Sequence, residues 1–387
     1  MNRRQFIILL ALVAVIGRAG WMVRQHNNQS WQGADDAIGR KLLPNLAVND
    51  IAQISIQSGT NALHLAKRDN LWRVAERGNY PANFSQISDL LLKLANLKIV
   101  QSEEVGPSQL GRFELLPPGA EKNSGTLVEF KDQSGKTLNT LLLGKKHMSR
   151  PAANSQPGGT GDEGWPDGRY VLAGSGAKTV AVISDALENV QPQPAQWLTK
   201  EFLSIEKPRT ISAQFPEAGN SWKLTRDSET SDWRLSDAKP DEKLDSTKIS
   251  SVTSPFSSVN FNDVAPLDAK TSGATNGTVL TVETFDGFNY VARIGTKQDD
   301  DYPVSFSVAA TLPPERVTAK DEKPEDKNKL DQSFKDRQKE LTGKLVREKQ
   351  FENWVYFLPS FSVDEILKPR GRLLTETNSE TSAQTAK

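Results

Sequence analysis

Ile87, Leu90, Leu94 and Leu97 form an apolar stripe at helical spacing, and Ile249, Val252, Phe256 and Val259 repeat it 162 residues later. A stripe matched at four positions with one constant offset marks a duplicated unit, and a duplication constrains every other reading of the chain. The strands upstream repeat as well. Ile51 to Gln57, Ala62 to Ala66 and Leu71 to Ala75 alternate apolar and polar residues between turn signals, and Thr210 to Phe215, Ser221 to Thr225 and Asp232 to Ser236 follow in the same order. Arg68-Asp69 before Trp72-Arg73 is echoed by Arg226-Asp227 before Trp233-Arg234. A strand Trp beside an aliphatic helix reads as a core anchor, and the Arg-Asp pairs read as turn chemistry.

Downstream, Gly125 to Lys131 with Thr137 to Leu143, and Gly277 to Thr284 with Asn289 to Ile294, read as equivalent hairpins. Each is followed by a strand and a short helix, Tyr170 to Ala173 with Val180 to Asn189, and Trp354 to Leu358 with Ser362 to Leu367. Asn83 or Ser85 supplies an N-cap for the first striped helix, Asp245 or Ser246 for the second, although Pro255 and many serines weaken the latter. The expected fold class is α+β: two tandem, internally duplicated domains of mainly antiparallel sheet with packed helices, after an N-terminal membrane helix. The expected boundaries are 1–24 for a membrane anchor or signal segment, 25–205 and 206–374 for the two repeats, and 375–387 for a polar, disordered tail.

At the N-terminus, Arg3 and Arg4 precede the apolar run Phe6 to Gly17, which continues weakly to Val23 beyond Arg18. That is about 18 residues, just enough to cross a bilayer, and poor cleavage sites favour an uncleaved anchor. The positive-inside rule then keeps the arginines in the cytoplasm and exports the rest, giving a single-pass inner-membrane protein with a periplasmic or extracytoplasmic bulk.

The copies differ in two insertions. His147 to Gly168 is rich in Gly and Pro and lacks the GxxxxGK[ST] phosphate loop. The second, 311–353, is densely charged, and within it Leu330, Phe334, Leu341 and Leu345 draw a thin apolar seam on a helix. This seam either lies on its own domain or docks a partner, and it is the one candidate site in the sequence.

Catalytic and metal chemistry finds no motif. The chain has no Cys, which removes disulfides, thiol nucleophiles and Cys-ligated metals, and His26, His64 and His147 have no ligand spacing. Asp299, Asp300 and Asp301 lack the EF-hand rhythm and read as a solvated hairpin tip. Balanced charge, 48 Lys+Arg against 48 Asp+Glu, argues against a nucleic-acid partner. The reading is therefore non-enzymatic, with no catalytic residues, no cofactor and no metal. Its alternatives are a glycan-, lipid- or peptide-binding module with a site between the repeats, and, further off, a carboxylate hydrolase.

The segments LWRVAERGNYPANFSQISDLLLKLANLKIV, LVEFKDQSGKTLNTLLLGKK and QWLTKEFLSI, with the short anchor before them, resemble the bacterial domain-of-unknown-function family 4340, with Trp72 to Val100 the most diagnostic block. The resemblance covers most of the exported region and carries no functional residues. It implies an envelope accessory or interaction role, since such proteins often occur near ABC-type transporter components related to gliding motility. Membrane, transporter and envelope protein are thus the expected partners, and any small-molecule ligand is left unnamed.

Overall fold

A computed structural model describes residues 37–119, 122–149, 165–174, 179–267, 277–318 and 322–375. The apolar run Phe6 to Val23, His26, most of the Gly-rich insertion and the tail from 376 lie outside the described residues. The described chain divides into two compact units between Thr199 and Lys200.

Unit 1 is one antiparallel sheet of nine strands: β1 (Gln53–Ser58), β2 (Asn61–Arg68), β3 (Leu71–Val74), β4 (Tyr80–Pro81), β5 (Ile99–Glu104), β6 (Thr126–Lys131), β7 (Thr137–Met148), β8 (Pro166–Ala173) and β9 (Thr179–Ile183). Their spatial order is 4-3-2-1-6-7-8-9-5. Helix α1 (Phe84–Asn96) connects β4 to the far edge strand β5. The Asn83 side chain caps it by accepting the Gln86 N–H at 3.1 Å. The expected stripe, Ile87, Leu90, Leu94 and Leu97, is buried, as are Ile54, Ile56, Leu63, Leu65, Val128, Phe130, Leu141 and Leu143, the alternate residues of four strands. Period 3.6 on the helix and period 2 on the strands thus supply one core. Between β2 and β3, Asp69 and Asn70 take φ of 50° and 62°, two successive left-handed residues in a two-residue hairpin turn.

Unit 2 repeats this sheet with eight strands: β10 (Pro208–Gln214), β11 (Trp222–Thr225), β12 (Arg234–Leu235), β13 (Asp263–Pro266), β14 (Thr278–Thr284), β15 (Phe288–Ile294), β16 (Asp301–Ala310) and β17 (Trp354–Pro359). Their order, 12-11-10-14-15-16-17-13, is that of unit 1 with β4 omitted. The β-carbon that an alanine would add at Gly125 meets the Leu143 carbonyl oxygen at 2.6 Å, and at the equivalent Gly277 it meets the Ile294 oxygen at 1.6 Å. Both hairpins therefore begin where two backbones touch and only glycine fits.

The ends of each unit close in the same way. The Asn83 N–H donates to the Trp197 carbonyl at 2.7 Å and the Thr199 N–H to Pro81; the Asp245 N–H donates to Leu373 at 2.9 Å and the Thr375 N–H to Lys243. Ala82 pairs with Leu198, and Leu244 with Leu374. The final Leu-Thr of each copy is thus a latch onto the residues before the striped segment.

Several expectations change. Residues 245–258 form successive turns rather than a helix, because Pro255 and six serines cannot sustain one and Phe256 sits at φ 55°. Ile249, Val252 and Phe256 are nevertheless buried and Val259 is half-buried, so the repeated stripe fills the core without helical backbone. Val180 to Ile183 belongs to strand β9, not to a short helix, and its counterpart is β17; the counterpart of β8 is β16. The short helix of the second copy is α3 (Ser360–Val363). The boundary falls at 199 rather than 205: Lys200 Nζ donates to the Phe261 carbonyl at 3.0 Å, the Ile205 N–H to Phe256, and the Phe202 ring packs on Phe261, Phe306 and Tyr356.

Candidate functional site

The insertion of the second copy lies in the β16–β17 connection and contains α2 (Pro324–Lys349). Pro324, Glu325 and Asp326 open the helix, and Arg347 and Lys349 close it, as the helix dipole favours. The helix lies against β16. The four seam residues separate along it: Leu341 is buried, Phe334 and Leu345 are half-buried, and Leu330 remains 41% exposed. Most of the seam is used on its own unit, and the N-terminal part is free. Val346, 60% exposed, adds an apolar position that the sequence pattern did not single out.

Polar contacts fasten α2 as well. The buried Tyr290 hydroxyl donates to buried Glu348 at 2.7 Å, the Ser204 N–H reaches the other carboxylate oxygen at 3.4 Å, and Lys344 Nζ stands 3.8 Å away. Burial pushes the Glu348 carboxyl above its ordinary value, against the hydrogen bond from Tyr290 and the charge of Lys344. Burial and the same carboxylate raise the Tyr290 phenol. Nearer the start of the helix, Arg316 donates to Glu322 and to Asp331 at 2.9 Å, and Arg337 reaches Asp286 at 2.9 Å. At the C-terminal end of unit 2, buried Arg370 binds Asp237 at 2.9 Å and Glu242 at 2.6 Å, which holds the Glu242 carboxyl down at about 2.

In unit 1 a cleft of about 390 Å³ opens between α1 and the segment 185–197. Leu90, Leu187, Val190 and Trp197 form its apolar lining, and Asp89, Asn189 and Glu188 are among its polar residues. Lys93 and Asp185 also line it and pair across it at 2.9 Å. Burial works against the Asp185 carboxylate, yet Lys93 and the Leu187 N–H hold it below its ordinary range. The volume is at the low end of ligand pockets. No local sequence pattern announces this cleft, because its walls come from segments about 100 positions apart.

The residues weighed for chemistry stand apart. His64 pairs with Glu76 and His147 with Asp167, each at 2.6 Å, on different strands. Among the described residues no group of three or more His, Cys, Asp or Glu could hold a metal ion. Asp299, Asp300 and Asp301 form the β15–β16 turn, where Asp301 accepts Asn262 at 2.8 Å and the Asp300 carbonyl accepts the Ser360 N–H. No described helix is long and apolar enough to cross a membrane.

The family model for a domain of unknown function, DUF4340, matches residues 72–152 and 158–277, a little over half of the chain. The chain belongs to that family. The DUF4340 match includes the Trp72 to Val100 block, with β3, α1 and the cleft-lining helix face. No curated protein and no solved structure matches this DUF4340 member.

Proposed function

We propose that this DUF4340 protein is a non-catalytic, membrane-anchored extracytoplasmic accessory component that docks onto an ABC-type transporter or a related envelope complex. The observation that carries this reading is where its charged chemistry is spent. The groups displaced furthest from ordinary ionisation, Glu242, Arg370, Arg316 and Tyr290, each tie one segment of unit 2 to another. Such groups at catalytic centres instead converge on a cleft. The charged helix α2, present in one copy only among the described residues, leaves Leu330 and Val346 exposed on a fold otherwise shared by both copies, which suits a surface added for a partner. The apolar run Phe6 to Val23 supports the anchor and the export.

Crosslinking mass spectrometry on native membranes tests this. The expected result is crosslinks from Lys327, Lys329 or Lys335 of α2 to a transporter or envelope subunit; self-links alone, with recovery of monomer after solubilisation, would overturn the reading. The cleft of unit 1 favours a second reading, a peptide- or glycan-binding module. Binding of a free glycan or an uncharged peptide by the purified protein, with no crosslink from α2 to another subunit, would favour it.

A further inference from the structure

The two copies can be aligned by sequence offset around the cleft of unit 1, anchored by the latch bonds they share. Along the closing segments, Leu187, Val190, Leu198 and Thr199 are matched by Val363, Ile366, Leu374 and Thr375, each 176 positions on. Along the striped segments the offset is 162, fixed by Asn83 and Asp245, whose N–H groups make the same latch bond. On these offsets Asp89 corresponds to Ser251, Asn189 to Glu365 and Pro192 to Lys368.

In unit 2 this place carries a cation of its own chain. Lys368 Nζ donates to Ser251 Oγ at 3.0 Å and pairs with Glu365 at 2.6 Å, and its amine, followed by Ser251, holds the Glu365 carboxyl below the ordinary range. Unit 1 has Pro192 where the lysine stands, so no cation comes from that position. Asp89 and Asn189, both exposed, stand at the two positions that clasp the amine in the sister copy, and they line an open cleft. The other charges there are already matched: Lys93 to Asp185 at 2.9 Å and Glu188 to Lys146 at 2.5 Å. One carboxylate is left over, beside an apolar floor of Leu90, Leu187 and Val190.

We propose that this cleft receives a lysine or arginine side chain of a partner polypeptide, its cation held between Asp89 and Asn189 as Lys368 is held between Ser251 and Glu365. The apolar floor suits an aliphatic stem, which a basic side chain brings and an amino sugar does not. The docking reading gives this site its use, but the two are tested separately: a peptide assay reads the cleft alone, and membrane crosslinking reads partnership alone.

The test is fluorescence anisotropy with full-length protein in neutral detergent. The probes are labelled Gly-Gly-Lys-Gly-Gly, the same peptide with norleucine, which keeps the stem and drops the charge, and glucosamine as competitor. The lysine peptide should bind, and the norleucine peptide about tenfold more weakly or worse, as loss of one charge-assisted hydrogen bond implies. Asp89→Lys, on an exposed helical position, should abolish binding. The triple variant Asp89→Ser, Asn189→Glu, Pro192→Lys, which copies the plug of unit 2, should do the same while melting like the parent. If the triple variant does not fold, Asp89→Lys decides. Equal binding of the norleucine peptide, unchanged binding by Asp89→Lys, displacement by glucosamine at or below the peptide concentration, or no peptide binding in the millimolar range would each overturn the proposal.

Discussion

The Tyr290–Glu348 contact is the sharpest place to test how α2 is held. Both side chains are buried, at 1% and 6% exposure, and the carboxylate relies on the Tyr290 hydroxyl at 2.7 Å. Its other neighbours are less favourable, the Ser204 N–H at 3.4 Å and Lys344 at 3.8 Å. A hydrogen bond to a charged group contributes roughly 1.5 to 3 kcal/mol, and removing one partner leaves the other desolvated. Tyr290→Phe should therefore cost about 2 kcal/mol at neutral pH. Glu348→Gln should behave oppositely. The amide oxygen still accepts from Tyr290, and the cost of burying a charge disappears, so stability should match or exceed that of the parent by about 1 kcal/mol.

The pH dependence has a definite sign. Burial raises the folded-state pKa of Glu348 above its ordinary 4.5, so the folded state takes up the proton first as pH falls. Between the raised value and 4.5, acidification therefore favours the folded state. The advantage of Glu348→Gln over the parent should shrink as pH falls from 7 toward about 4.5, and Tyr290→Phe, which raises the carboxyl further, should recover part of its loss over the same range. Urea unfolding of the full-length chain, followed by tryptophan fluorescence, measures all three proteins. If Glu348→Gln proves as damaging as Tyr290→Phe at pH 7, or if its advantage grows on acidification, the carboxylate is stabilising as a charge and the argument from burial fails.

Four further outcomes follow from the geometry. Gly277→Ala should destabilise severely, because its new β-carbon would fall 1.6 Å from the Ile294 oxygen, and Gly125→Ala should do so less; Gly135→Ala, at φ 86° with open space around it, should cost only about 1 kcal/mol by thermal melting. Leu341→Ala should cost about 2 to 4 kcal/mol, whereas Leu330→Ser should leave stability within about 0.5 kcal/mol and remove membrane crosslinks from α2. Asn83→Ala should lose about 1 kcal/mol by urea unfolding, with faster amide exchange confined to the first turn of α1. Because Arg370 first of all holds the Glu242 carboxyl at about 2, below its ordinary 4.5, that contact stabilises above pH 4.5 and weakens as pH falls toward 2. The protection of amides 370–375, measured against their intrinsic exchange rate at each pH, should fall across that window, and Glu242→Gln should remove the dependence.

The duplication was legible because apolar periodicity is a local property that survives divergence: Ile87 to Leu97 and Ile249 to Val259 kept their spacing although only the first became a helix. What the second segment lost is backbone propensity, and core burial of Ile249, Val252 and Phe256 does not need it. The edge strands β5 and β13 escaped notice because Ile99 to Glu104 and Asp263 to Pro266 are short and largely polar on the outside, with little alternation to detect. Of the candidate seam, helical spacing found all four residues but could not say which would be buried, since that depends on where β16 and Tyr290 lie. The cleft and its missing lysine were illegible for a further reason: Asp89, Asn189 and Pro192 acquire meaning only when set against Ser251, Glu365 and Lys368, through two offsets that differ by the loops between them.

Comparison of the copies also explains how their cores stay filled while their sequences separate. Strand register equates Ile56 with Ala213 and Leu63 with Trp222, and the latch equates Trp197 with Leu373; all six are buried. Unit 1 therefore places its large indole on the closing segment, where it donates to the Gln191 carbonyl at 3.1 Å, and unit 2 places it on β11, where it donates to the Lys368 carbonyl at 2.8 Å. A tryptophan moved from one wall of a core to another must be matched by smaller residues where it arrives and by a leucine where it left, since cores tolerate exchange only at nearly constant volume. The same logic reaches α2. Register equates the half-buried Asn139 of β7 with Tyr290 of β15, so the copy that gained a covering helix has an aromatic residue at a position its sister keeps polar. Helix, tyrosine and buried Glu348 thus form one unit of change, and removing 324–349 alone should leave Tyr290 uncovered and unit 2 prone to association, a result that light scattering on the deletion variant would show and a monodisperse, stable variant would refute.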